Sequence, residues 1–67
     1  MILIETYRLD AYGQFLFRIE APGSIPVATR DAAAAAEELI RHGIDDPLRL
    51  LEHTRRWGYV ETVAPQL

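Results

Sequence analysis

An α+β fold follows from three features of the chain. β-branched and aromatic residues flank a turn within residues 1–20, an Ala-rich amphipathic run follows Thr29, and a second helical run opens at Asp46-Pro47. The predicted order is β-β-α-α-β: a β-hairpin, two helices and a short closing strand, with both helices packed on one face of a small antiparallel sheet. All 67 residues form one small domain. A chain of this size buries only roughly 60% of the surface exposed by its unfolded form, too little for two cores.

The hairpin turns at Asp10-Ala11-Tyr12-Gly13, read as a three-residue loop in which Asp precedes a type I turn and Gly closes it in the left-handed region. That loop pairs Leu9 with Phe15, Tyr7 with Phe17 and Glu5 with Ile19. Leu3, Tyr7, Leu9, Phe15, Phe17 and Ile19 then share the core face. Ile4, Thr6, Arg8, Gln14, Leu16, Arg18 and Glu20 lie outside, and a slip of one residue is expected to turn Arg18 inward. Ala21-Pro22-Gly23 and Pro26 stop the second strand, leaving Ile25 and Val27 for a short, edge-like extended piece.

Thr29 is the expected N-cap of a helix from about Arg30 to His42, with Asp31 in the first turn, where the helix dipole favours an anion. Ala32, Ala33, Ala36, Leu39 and Ile40 form its inner stripe. So narrow a stripe lets a helix lie close to a sheet that carries the large residues. Gly43 and Ile44 fit a Schellman stop in which Ile44 folds back on Leu39. Asp46 then caps a second helix with Pro47 first, an apolar arc of Leu48, Leu50, Leu51, Thr54 and Trp57, and Gly58 at its end. Tyr59 to Val63 alternates as the last strand before Pro65 releases the tail.

Composition removes several function classes. The chain has no Cys, so disulfides, thiolate catalysis and Cys-containing zinc sites are excluded. A net charge of -3 argues against indiscriminate attraction to phosphate. The excess acid sits in residues 1–40, with six acids against three Arg, whereas residues 41–67 balance four against four. No run approaches the ~20 apolar residues that span a bilayer, and the apolar start lacks a basic leader, so a cytoplasmic protein is expected. Net stability of only a few kcal/mol at this length would allow a homodimer to add burial.

Few motifs for chemistry survive inspection. His42 and His53 lack metal-site spacing, and His42 is better placed to pair with Glu38 at i, i+4. Asp45-Asp46 is better explained by capping, and Ser24 has no nucleophile frame or partner base. Glycines 13, 23, 43 and 58 are too scattered to cradle a phosphate. No cofactor or metal is expected, nor catalysis, because a domain this small spends its apolar residues on its own core.

Helix, glycine and helix over residues 32–57 can also be compared with a DNA-reading helix-turn-helix. Arg49, Glu52, His53 and Arg56 share one exposed face of the second helix, bordered by Arg55. That face includes an acid, and it has no Asn or Gln to read adenine. Trp57 and Tyr59, flanking Gly58, are of the type enriched at binding hot spots. Ile4 and Leu16 beside Arg8 and Arg18 offer a second apolar-basic patch.

Asp10-Ala11-Tyr12-Gly13, a strand, Pro22-Gly23, an extended piece and Thr29 opening an Ala-rich helix are similar to the N-terminal domain of HicB-type antitoxins, over roughly residues 1–42. After Gly43 the chain departs from that family, with a second helix, a last strand and no separate DNA-binding domain. The resemblance implies an antitoxin-like role.

The expected function is therefore that of a stand-alone interaction protein. It would be a stoichiometric inhibitor or regulator of a protein or ribonucleoprotein partner, like an antitoxin or a phage-encoded anti-defence or anti-CRISPR protein. Arg49, His53, Arg56, Trp57 and Tyr59 are its expected partner-binding residues, with the hairpin's outer face second. The alternative is a DNA-binding regulator that dimerises so that two modest Arg clusters add.

Overall fold

In the computed structural model the described residues are 1–62. Val63 and Pro65, the expected end of the last strand and its release, lie outside the described residues. The elements are β1 (Ile2–Arg8), β2 (Phe15–Glu20), β3 (Val27–Thr29), α1 (Ala32–Arg41), α2 (Pro47–Trp57) and β4 (Tyr59–Thr62). They form one antiparallel sheet in the order β3-β2-β1-β4. The α+β class holds, and the extended piece after Pro26 is a true third strand. It begins at Val27 rather than Ile25, beyond the proline that cannot donate to a ladder. No helix of the described residues is long and apolar enough to cross a membrane.

The hairpin register differs from the predicted one. Thr6 pairs with Phe17, Ile4 with Ile19 and Arg8 with Phe15. The cause lies in the loop, where Asp10 Oδ1 accepts from the amides of Tyr12 (2.9 Å) and Gln14 (3.2 Å). Leu9 N–H donates to the Gln14 carbonyl at 2.9 Å, so Asp10 is the first of four loop residues instead of a strand partner. Gly13 supplies the positive φ, 85°, at the last loop position. One extra loop residue slips β1 while β2 keeps its orientation, so Arg18 stays outside. Ile2 and Ile4 enter the core in place of Leu3, Tyr7 and Leu9, and Leu9 is 43% exposed.

Ile2, Ile4, Phe17 and Ile19 form the inner face of the sheet, buried with Ala35, Ala36, Leu39, Ile44 and Leu51. α1 packs on β2 and β3, and α2 on β1 and β4. Small alanines set against large sheet residues are the arrangement expected of a close-lying helix, but the stripe is turned. Ala35, Ala36 and Leu39 are buried, whereas Ala32, Ala33 and Ile40 are exposed. The start of the helix differs as well. Asp31, not Thr29, is the cap, its carboxylate accepting from Ala33 N–H at 2.9 Å, and Thr29 Oγ1 accepts from Asp31 N–H one step earlier.

The stop of α1 is the expected Schellman motif. Ile44 N–H donates to the Leu39 carbonyl (3.1 Å) and Gly43 N–H to that of Ile40 (2.9 Å), and Ile44 joins Leu39 in the core. α2 starts at Pro47 as predicted, although the Asp46 side chain makes no capping bond and reaches Arg49 at 3.3 Å instead. Its apolar arc is narrower than expected. Leu51 and Thr54 are buried, but Leu48 is 65% and Trp57 67% exposed.

Thr54 is the one buried polar residue among those described, and its hydroxyl is fully used. It donates to the Leu51 carbonyl (2.8 Å) and accepts from Thr6 Oγ1 (2.7 Å). One turn on, Gly58 N–H donates to the Thr54 carbonyl, and the Gly58 carbonyl accepts from Thr6 N–H at 2.9 Å. Thr6 thus fastens the end of α2 to the central strand and starts the pairing of β4.

The register makes a contrast measurable by denaturant unfolding. Ile4→Ala should cost about 2–4 kcal/mol, a large part of the ~3–10 kcal/mol expected for this length. Leu9→Ala should cost about 0.5 kcal/mol or less. The reverse ranking would indicate the three-residue loop.

Candidate partner-binding surfaces

Two surfaces of different chemistry stand apart from the core: the outer side of α2 and the sheet face that carries no helix. On α2, Arg49, His53, Arg56 and Trp57 follow one another at i, i+4, i+7 and i+8, so helical geometry gathers them on a single exposed face. The His53 and Trp57 rings sit 6.4 Å apart, centroid to centroid, tilted by 42°. Arg49 points toward Asp46, and Glu52, the one acid of this helix, reaches Arg55 at 3.5 Å, at i, i+3.

Tyr59 does not join this group. Along β4, Val60 packs against the core, so Tyr59 and Glu61 alternate to the opposite, helix-free side. Both aromatics flanking Gly58 are exposed, Trp57 beside α2 and Tyr59, at 60%, on the far side of the sheet. The corner at Gly58, where φ is 92°, separates them.

The helix-free face also differs from the expected hairpin surface. Ile4 is buried and Arg8 lies on the helix side, its Nε donating to the Asp10 carbonyl at 3.0 Å. The face is built from Leu3, Glu5, Tyr7, Leu16, Arg18, Glu20, Tyr59 and Glu61. One cross-strand row runs Ala28, Arg18, Glu5, Tyr59. Within it Arg18 bridges Glu5 (2.9 Å) and Glu20 (3.1 Å), and the Tyr7 hydroxyl donates to Glu5. Sequence pattern alone could not find this cluster, because in the predicted register Glu5 faces Ile19 instead of Arg18.

The hydrogen bond from Tyr7, with the nearby Arg18 guanidinium, holds the Glu5 carboxyl below its ordinary range against an opposing effect of burial. The same bond raises the Tyr7 phenol, which would lose it on ionising, and the two glutamates raise Arg18 further. His42 meets Glu38 at 3.1 Å, the pairing expected from spacing, and Arg41 shares that carboxylate. Among the described residues no cluster of three or more His, Cys, Asp or Glu could hold a metal ion.

These shifts carry a pH dependence. A carboxyl lowered by folding stabilises the fold above its unfolded-state value, and that contribution is lost as pH falls through the folded one. The raised phenol contributes below its unfolded-state value and loses this as pH rises through the folded one. Tyr7→Phe should return the Glu5 titration, followed by side-chain carboxyl NMR, upward toward the ordinary range. Arg18→Gln should move it up as well. An unmoved titration in Tyr7→Phe would mean that the phenol bond is absent in solution. Scans against protein-family models, curated proteins and solved structures each return no match, so none of them joins the chain to the HicB-type antitoxins that residues 1–42 resemble.

Proposed function

We propose that this chain is a protein-binding domain without catalytic activity, a stoichiometric inhibitor or regulator that engages a macromolecular partner through the outer face of α2. The observation that carries this is the position of Trp57. The protein's single Trp is its largest apolar side chain, yet the core is filled by Ile, Leu, Phe and Ala while Trp57 remains 67% exposed. A small domain short of apolar surface gains nothing for its own stability by leaving an indole in water, whereas Trp and Arg are the residues that dominate binding energy at interfaces.

Arg49, His53 and Arg56 share the helix face of that indole and add polar and cationic groups, with the His53 ring nearest to it. This composition suits a protein or ribonucleoprotein surface with an apolar slot rimmed by acids. Tyr59, on the other side of the sheet, is left out of this contact. The cytoplasm is the setting that goes with such a partner and with a chain lacking Cys. Naked nucleic acid is less well served, because the chain carries a net charge of -3 and Glu52 sits among the cations of this face.

The test is capture of partners from the native host with the wild-type chain, Trp57→Ala and Arg49→Glu/Arg56→Glu compared side by side. Both variants should lose a protein retained by the wild type, with the indole worth about 2 kcal/mol or more of affinity. Folding stability should change by no more than about 0.5 kcal/mol, as for exposed sites. Equal retention by all three would remove this face from consideration.

A further inference from the structure

We propose a second binding site, separate from the α2 face, that takes a carboxylate carried on an apolar body. It is the hollow between the hairpin loop and the helices, about 450 Å3 in volume and lined by Gly13, Gln14, Phe15, Phe17, Arg30 and Arg55, among others. That volume lies within the range of small-ligand sites.

Its chemistry is unlike that of the rest of the molecule. The chain has ten acids and a net charge of -3, yet among the described residues no carboxylate lines this hollow, while two of the seven arginines do. Two neighbouring acids each turn one oxygen to backbone amides: Asp10 Oδ1 accepts from Tyr12 and Gln14, and Asp31 Oδ1 from Ala33. Arg55 is pre-positioned, its guanidinium carbon 4.8 Å from the Phe15 ring centroid and one terminal nitrogen 3.5 Å from Glu52. Arg30 is exposed and takes part in none of the ion pairs among the described residues.

Two guanidiniums lining one hollow with an aromatic floor match a ligand with an anionic end and an apolar body. Each guanidinium can fork onto a carboxylate, and half-buried Phe15 supplies the apolar contact. A bare inorganic anion would leave that floor unused. The ligand chemistry can come from a free small acid or from the carboxyl end of a partner's chain. A second hollow, about 530 Å3, sits at the other end of the hairpin and serves as an internal control. Met1, Leu3, Pro22, Glu20 and Glu61 are among its lining, so its charge has the opposite sign.

The experiment is a titration of the whole 15N-labelled chain with N-acetyl-phenylalanine, its uncharged amide, inorganic phosphate, and an octapeptide ending in phenylalanine with a free carboxyl. The expected result is saturable shifts of the Gly13 and Gln14 amides and of the Arg30 and Arg55 Nε–H signals with the acid. The amide and phosphate should bind at least about tenfold more weakly. Arg30→Gln, at an exposed position that leaves the core untouched, should weaken the acid by a similar factor. Arg55→Lys should also weaken it although the charge is kept. Equal affinity of acid and peptide identifies a free small acid as sufficient, and tighter binding of the peptide identifies a chain end; either supports the site. Binding of the amide or phosphate as tight as the acid, shifts at Glu20 and Glu61 instead, or no saturable shift would overturn it. None of these outcomes bears on Trp57, so the site and the α2 interface stand or fall separately.

Discussion

The number of residues in the hairpin loop is the constraint on which the rest of the structure depends. Asp10 gathers two amides of its own loop, and this draws it out of the strand and lengthens the turn by one residue. In a strand with a period of two, that single step exchanges the faces of all of β1. Ile2, Ile4 and Thr6 turn toward the helices, and Leu3, Glu5 and Tyr7 turn away. The exchange gives the core β-branched side chains that fill a pleated surface well. It also places Thr6 where its hydroxyl meets Thr54 and its amide meets Gly58, fastening both α2 and β4 to the central strand.

The surfaces follow from the same step. With both helices on one side, the other side of the sheet must tolerate water, and it does so through a ladder of Glu5, Arg18 and Glu20 with Tyr7 closing on Glu5. α2 needs only Leu51, Thr54 and half-buried Leu50 to dock, which leaves most of its circumference free. Helical spacing puts Trp57 on that free side, with Arg49 and His53. At the hairpin end, Phe15 stays half-buried with Arg55 across it, so a hollow remains where a larger core would have closed.

Local chemistry was readable from the sequence wherever one residue type decides the backbone. Gly43 with Ile44, Pro47 after Asp46, and Gly58 mark helix ends that the structure reproduces. The facing of strands and helices was less legible, because near-equal alternatives compete. Thr29 and Asp31 can both cap α1, and five identical alanines do not tell Ala32 and Ala33 from Ala35 and Ala36, which face the sheet. Leu3, Tyr7 and Leu9 are together as apolar as Ile2 and Ile4, so pattern alone favours no face, and the loop decides. Of the residues expected at the binding surface, Arg49, His53, Arg56 and Trp57 are gathered by helical spacing that the sequence displays. Tyr59 falls away because β4 reverses the side chain across Gly58. The hollow with Arg30 and Arg55 joins residues 25 apart in the chain to the hairpin loop, which no local pattern connects.

The pairing of β1 with β2 can be measured directly. In an antiparallel pair the Hα atoms of facing residues approach closely at the non-hydrogen-bonded positions. Leu9 and Gln14 occupy a hydrogen-bonded position, so cross-strand Hα–Hα NOEs are expected between Arg8 and Phe15, Thr6 and Phe17, and Ile4 and Ile19. Contacts between Tyr7 and Phe17 or between Glu5 and Ile19 would contradict this register, and with it the faces assigned to the core and to solvent.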